Sequence, residues 1–367
     1  MSEQSSSESR IPSRGKRRRE RSRRRKALTV AAWSAAVLVL VGGSGLGYAF
    51  FRLNGNIQGI DIDSALTDRP KNLDNGSMDI LVLGSDSRSG ANSEYGQDEG
   101  AARSDTAMVV HVYKGRKTAS VVSIPRDTLI DRPECTDEKG ASAAGEKRAM
   151  FNTAYEVGGP ACAVKTVEKM SGIRMDHYIE VDFTGFKKLI DKLGGVEITT
   201  TKPIDDAKSH LDLAPGTHTL NGEQSLGLVR TRKSVGDGSD LGRIQLQQAF
   251  MKAFIEQVKS VGVFTNPKKL FDVADTATKA ITPDSELESV PELMDFARGL
   301  SGLGAKDVHM ITMPVEYDQV DPNRVIPIKA ASQQVWTALG HDLPVPASAV
   351  KDSAGDKGEA GAIVKGR

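Results

Sequence analysis

Residues 103–127 read RSDTAMVVHVYKGRKTASVVSIPRD, and this stretch decides the fold. Thr106–Tyr113 and Lys117–Ile124 are short runs dense in Val, Ile and Met, the composition of strands covered on both faces. Lys114-Gly115-Arg116 between them leaves room only for a hairpin turn. In an antiparallel pair the start of one strand lies beside the end of the other, so Arg103 and Asp105 reach the same sheet edge as Arg126 and Asp127. A third strand candidate, Asp79–Leu83, runs into Gly84-Ser85-Asp86-Ser87-Arg88. If it pairs antiparallel with the first hairpin strand, or parallel with the second, Asp86 and Arg88 join that edge.

Downstream, helix and strand alternate. Ala161–Ser171 has helical apolar spacing and stops at Gly172. Tyr178–Val181 is a strand, and Phe183–Leu193 is a helix capped by Asp182 or Thr184 and closed by Gly194-Gly195 before the strand Val196–Thr200. Gly222–Val229 reads as a short helix leading into Arg230-Thr231-Arg232, and Asp240–Val258 as a long amphipathic helix with Asp240 as its cap. Helices near Lys268–Ala280 and Leu287–Leu300 precede a last strand, Val308–Met313. Such alternation predicts a single α/β sandwich domain over residues 78–343. Residues 52–77 read as a polar stalk. Residues 344–367, rich in Ala, Gly, Lys and Asp without an apolar period, read as a disordered tail.

The near-neutral net charge of +1 hides an asymmetry: residues 1–26 carry eleven Lys/Arg against three acids, so the remainder is acidic. Ala27–Phe51 contains no charge over 25 residues, roughly 37 Å as a helix, enough to cross a ~30 Å hydrocarbon layer. The basic run before it marks the cytoplasmic side, so the expectation is a cytoplasmic tail (1–26), a single transmembrane helix (27–51) and an extracytoplasmic domain. A cleaved leader ending near Gly42–Gly47 is the alternative. The same arginines could belong to a nucleic-acid arm, but their position against an apolar span favours the membrane reading, and no nucleic-acid partner is expected. The two cysteines, Cys135 and Cys162, both fall in the segment placed outside, where an even pair is expected to form a disulfide.

Two acids and several arginines on one edge point to an anion between them, since planar guanidinium groups match phosphate oxygens in pairs. Asp86 and Asp105 then suit Mg²⁺ (or Mn²⁺), which takes carboxylate and phosphate oxygens. Structural salt bridges at a loop-rich edge are the plain alternative. A second arginine group follows: Arg230 and Arg232 point the same way if that segment is extended, and Arg243 and Gln247 lie one turn apart at the start of a helix, whose N-terminus itself favours anions. No G-x-S-x-G or H-E-x-x-H pattern occurs, and His111 and His177 read as strand residues.

Seven motifs, Ile80–Arg88 (ILVLGSDSR), Arg103–Thr106 (RSDT), Ser123–Thr128 (SIPRDT), Asn152–Gly159 (NTAYEVGG), Asp191–Val196 (DKLGGV), Leu228–Arg232 (LVRTR) and Asp240–Gln248 (DLGRIQLQQ), occur in the order and spacing of the LytR-CpsA-Psr family. The chain resembles that family over about residues 78–255. The resemblance implies an α/β/α sandwich with a mixed central sheet that holds a polyprenyl-(pyro)phosphate lipid, its tail in an apolar tunnel. It also implies a phosphotransferase that attaches teichoic acid, capsule or arabinogalactan-type polymers to peptidoglycan. By motif, Asp86 and Asp105 resemble the metal and catalytic acids. Arg88, Arg103, Arg126, Arg230, Arg232, Arg243 and Gln247 resemble the pyrophosphate clamp, with Arg126 also catalytic, and Asp240 resembles the acid that orients the last arginine. Two positions depart: Met150 and Leu246 stand where many members carry a basic residue. A polyprenyl-pyrophosphate phosphohydrolase or a non-catalytic lipid-binding module would use the same pocket.

Overall fold

The computed structural model of the chain describes residues 45, 47–66, 68–85, 104–136, 140–232, 238–263, 266–356 and 364–366. It separates into two compact units, Met1–Arg52 and Leu53–Arg367. In the first, the described residues 45 and 47–52 are helical. Among the described residues no helix is long and apolar enough to cross a membrane; the expected span, 27–51, lies almost wholly outside them, as does the basic tail.

The second unit is built on a six-stranded mixed sheet. Its centre is β1 (Met78–Ser85), β2 (Ser104–Val112) and β3 (Ala119–Ile124). β1 and β2 pair antiparallel, as do β2 and β3. The link between the last two turns back with Arg116 N–H donating to Tyr113 O and with Gly115 at φ 84°, a conformation glycine adopts without strain. On one flank β6 (His177–Asp182) runs parallel to β1, and β9 (Ile281–Pro283) lies antiparallel outside it; on the other, β10 (Val308–Thr312) runs parallel to β3. Between β3 and β6 the chain forms a small hairpin, β4 (Leu129–Arg132) with β5 (Glu146–Met150). A separate sheet holds β7 (Val196–Thr200) between β8 (Gly216–Leu220) and β13 (Val364–Gly366).

Both faces of the central sheet are covered, which is why its strands are almost continuously apolar. Leu81, Leu83, Val109, Val122 and Tyr178 pack with Val164 and Val167 of helix α1 (Thr153–Ser171) and with Val335, Trp336 and Leu339 of α7 (Lys329–Gly340). On the opposite face Ile80, Met108 and Val121 meet Met251 and Ile255 of α4 (Asp240–Ser260) and Phe296 and Leu300 of α6 (Val290–Leu300). A third cluster joins Ile190 of α2 (Phe183–Lys192), Val196, Ile198, Leu220, Leu228 of α3 (Gly222–Arg230), Leu246 and Phe250. Against α2 packs α5 (Pro267–Ala280), so closely that a β-carbon on Gly185 would collide with Ala280.

The architecture matches the sandwich expected, with four local corrections. Residues 52–77 are no stalk: Ile57, Ile62 and Leu66 are buried, and Arg69 pairs with the buried Glu168 at 2.6 Å. The apolar residues of this segment give no sustained period, yet Ile62 and Leu66, with Ile60 packed beside them, join the core under α1 and α7. Nor do the described residues of 344–367 form a loose tail, because Ala349 is buried and Val364 completes the edge beside β7. Val308–Thr312 is not the last strand, since β11 (Val315–Tyr317) and β12 (Val325–Pro327) form a hairpin after it. Helix α1 starts before Ala161, with an initial turn from Thr153 broken at Gly158 and Gly159 and resumed at Pro160, whose ring suits a first helical turn. Asp182 caps α2 as anticipated, accepting from Gly185 N–H at 2.7 Å.

Cys135 and Cys162 form a disulfide between buried residues, with Cα atoms 5.4 Å apart. It fastens the β4–β5 region to α1.

Candidate functional site

The β2–β3 register places Ala107 opposite Ile124, so the start of β2 and the loop Pro125-Arg126-Asp127 share one edge. Between Gly84 and Ser85 the β1–β2 register slips, with Gly84 opposite Thr106 and Ser85 opposite Ser104. Asp105 is the residue passed over, a bulge at the sheet end where chains commonly redirect a side chain. β1 ends at Ser85, and the candidates Asp86, Arg88 and Arg103 lie outside the described residues. The buried Ser85 hydroxyl has no hydrogen-bond partner among the described residues.

Opposite this edge stands the first turn of α4. Ser239, not Asp240, is the N-cap, which frees Asp240 to act as a hub. Its carboxylate accepts from Arg126 N–H at 3.2 Å and lies 2.5 Å from Arg243 Nη2, 3.6 Å from Arg126 Nε and 3.8 Å from Arg232 Nη2. The Asp240 side chain is only 8% exposed and Arg243 only 5%, so that pair is held in a low-dielectric setting, whereas Arg126 and Arg232 reach outward at 22% and 33%. One acid thus sets the positions of three guanidinium groups. Arg232 is further fixed through its N–H, which donates to the Asp206 carboxylate at 3.0 Å.

Arg126, Arg232 and Asp240 line a pocket of about 660 Å³ together with Pro125, Asp127 and Leu241. The β11–β12 hairpin adds Tyr317, Pro322, Asn323, Arg324 and Val325 to its lining. Sequence reasoning missed this part of the lining. The segment VDPNR (320–324) carries only turn residues, and nothing local signals that Val325 bridges Thr128 beside Arg126. Arg324 lies 3.2 Å from Asp127 with Nη1 and 3.7 Å from Asp321 with Nε.

The remaining candidates stand apart from this pocket. Arg230 closes α3 and lays its guanidinium over the Phe183 ring, 5.7 Å from the centroid. Arg230 ends the helix and Thr231 is extended, so the segment is neither wholly helical nor wholly extended, and Arg230 turns to the Phe183 ring while Arg232 lines the pocket. Phe183 in turn lies beside Gly84, which puts Arg230 near the end of β1. Gln247 is buried and donates from Nε2 to Thr106 Oγ1 at 3.1 Å and to Val229 O at 3.0 Å, tying the start of β2 to the end of α3. It acts as a brace behind the pocket. Among the described residues no three His, Cys, Asp or Glu side chains gather as a metal cage.

His111 is wholly buried and bonds Asp79 through Nδ1 at 2.8 Å and Asp342 through Nε2 at 3.2 Å. Burial alone would lower its pKa, but the hydrogen bonds and charges of Asp79 and Asp342 outweigh that and leave it raised. It belongs to the framework, joining β1 and β2 to the end of α7.

Comparison with known proteins gives one consistent result. The LytR_cpsA_psr family profile matches residues 49–340. The cell wall biosynthesis protein LcpA of Corynebacterium glutamicum is 30% identical over 90% of this chain and 68% of its own length. The polyisoprenyl-teichoic acid–peptidoglycan teichoic acid transferase TagT of Bacillus subtilis is 32% identical over 79% of this chain and 87% of its own. Among solved structures, TagT bound to LI-WTA superposes with a TM-score of 0.57 at 27% identity, covering 78% of this chain and 99% of that one. A LytR-Csp2A-Psr enzyme from Actinomyces oris superposes equally well, TM-score 0.57, at 23% identity over 77% of this chain and 96% of its own.

Proposed function

Because the chain belongs to the LytR-CpsA-Psr family, we propose that it is a phosphotransferase that moves a glycopolymer from a polyprenyl-(pyro)phosphate carrier to a peptidoglycan sugar hydroxyl. The observation that carries this reading is the Asp240-centred arginine cluster at one wall of the pocket. In the reaction the acceptor oxygen forms a bond to the phosphorus nearest the glycan, and the bond from that phosphorus to the carrier phosphate breaks. No covalent enzyme intermediate is required. Arg126 and Arg232 take the charge that grows on the departing phosphate, fixed in advance by Asp240 so that no reorganisation is needed at that moment. Arg88 and Arg103 complete the clamp, Arg230 and Arg243 support it from its margins, and the acceptor proton passes to Asp86 or Asp105.

A Mg²⁺ (or Mn²⁺) ion at the same sheet edge is part of this reading, with Asp86 and Asp105 as its ligands; the buried Ser85 hydroxyl, without a hydrogen-bond partner among the described residues, adds a hard oxygen donor. Bound there by Asp86 and Asp105, it would supply charge neutralisation at the phosphates. Ala27–Phe51 would anchor the enzyme in the membrane with the N-terminus cytoplasmic and the catalytic unit outside, next to both substrates.

The test is transfer of label from a polyprenyl-pyrophosphoryl glycan to peptidoglycan oligomers by the full chain with Mg²⁺, alongside Asp105→Asn and Arg126→Ala. Label on peptidoglycan, lost in both variants, is the expected outcome. Release of free phosphorylated glycan instead would make the protein a phosphohydrolase, and tight lipid binding without turnover would make it a binding module.

A further inference from the structure

We propose that the β11–β12 hairpin is a saccharide subsite, with Tyr317 as the platform for a sugar ring and Asn323 and Arg324 as its polar contacts. This rests on the transfer reading and adds to it the surface that recognises the sugar beside the reacting phosphate.

The pocket is chemically mixed. The loop after β3 and the segments around α4 contribute Arg126, Arg232 and Asp240; the β11–β12 hairpin contributes an aromatic ring, a proline, an amide and a guanidinium. At about 660 Å³ it falls within the ~300–1,000 Å³ of sites that enclose drug-sized ligands, so it has room beyond the phosphates. Tyr317 lines the pocket and is 44% exposed, so part of its ring is open to a ligand. An aromatic face covers the C–H face of a pyranose while neighbouring polar groups take its hydroxyl and acetamido oxygens.

The hairpin is built to hold a shape. Asp318 N–H donates to Arg324 O at 3.0 Å and Arg324 N–H to Asp321 O at 2.9 Å. The Asp318 carboxylate, 4% exposed, accepts from Asp321 N–H at 2.9 Å and from Arg148 Nη2 at 2.8 Å. Val325 N–H donates to Asp127 O at 3.4 Å, while the Asp127 carboxylate holds Arg324. Asp127 is therefore shared between the hairpin and the loop that bears Arg126, which fixes the spacing between the two. Such fastening suits a site whose two halves must engage one ligand together.

A sugar here could belong to the donor glycan or to the peptidoglycan acceptor, and the test separates them. The full chain in mild detergent is titrated with inorganic pyrophosphate, with a polyprenyl-pyrophosphoryl disaccharide and with a phosphate-free peptidoglycan oligosaccharide. Wild type is compared with Tyr317→Ala, Tyr317→Phe and Asn323→Ala. The alanine variants should leave pyrophosphate affinity within twofold and weaken one saccharide probe tenfold or more, the donor or the acceptor identifying the sugar's source. Tyr317→Phe should keep most of the affinity, because the ring does the stacking. Saccharide affinities unchanged in both alanine variants would overturn the subsite while leaving wild-type transfer intact. Saccharide binding that depends on Tyr317 in a protein that transfers nothing would uphold the subsite and sink the transfer reading. No saccharide binding by the wild type would reject the subsite outright.

Discussion

Asp240→Asn isolates the organising role of one carboxylate. The substitution keeps the shape and removes the charge from a group 8% exposed that faces Arg243 at 2.5 Å, Arg126 at 3.6 Å and Arg232 at 3.8 Å. Arg243 is buried, so removing the charge it faces at 2.5 Å is set against the about 3–5 kcal/mol found for broken buried pairs. The half-open Arg126 and Arg232 contacts add well under about 1 kcal/mol each after screening. An asparagine oxygen still accepts a hydrogen bond, which places the expected loss near the lower end, about 3 kcal/mol. At roughly 2 °C per kcal/mol for a unit of this size, Tm should fall by about 6 °C. The variant also leaves a more positive pocket, so inorganic pyrophosphate should restore part of the loss by mass action, raising Tm more in the variant than in wild type. Thermal unfolding with and without pyrophosphate reads both effects. A loss below about 1 kcal/mol, or a pyrophosphate shift no larger than that of wild type, would refute the idea that Asp240 compensates an otherwise self-repelling arginine cluster.

Three further outcomes follow from the framework. Replacing Cys135 and Cys162 by Ser, or reducing them, opens a cross-link spanning 27 residues and should cost about 3.5 kcal/mol by chain entropy; urea unfolding with and without reductant measures it, and equal midpoints would mean the link contributes nothing. His111 has a carboxylate within hydrogen-bond distance of each ring nitrogen, an arrangement that favours its charged form. Its pKa is raised in the folded state, so its stabilisation is fully present below the ordinary value of about 6.5 and is lost as pH rises through the raised value; a Tm that declines from pH 6.5 upward in wild type but not in His111→Gln is expected, and parallel profiles would exclude it. Val364→Ala removes about two methylenes' worth of buried surface at the β7 edge, near 2 kcal/mol, and an unchanged midpoint in denaturant would show that this strand does not hold the second sheet together.

The apolar runs of residues 106–113 and 117–124, with a three-residue link, determined the antiparallel β2–β3 pair and brought the Asp105 and Arg126 positions to one edge, because a short turn leaves only a hairpin open, whereas the tertiary structure decided that β1 pairs antiparallel with β2. The alternation that follows determined the sandwich class, since only helices on both faces cover strands so uniformly apolar. Local patterning could not show the burial of Ile57, Ile62, Leu66 and Val364, which sit in short segments without a helix or strand period long enough to announce a core face, and Val364 is covered because it pairs at the edge beside β7. Nor could it separate Arg230 from Arg232, a division made by the helix end at Arg230 and the Phe183 ring. The lining by Tyr317, Asn323 and Arg324 is wholly a tertiary product: about 190 residues separate it from Arg126, and it reaches the pocket because Val325 pairs beside Thr128 and Asp127 is shared between them. Periodicity records what each segment buries, whereas a pocket is defined by which segments meet.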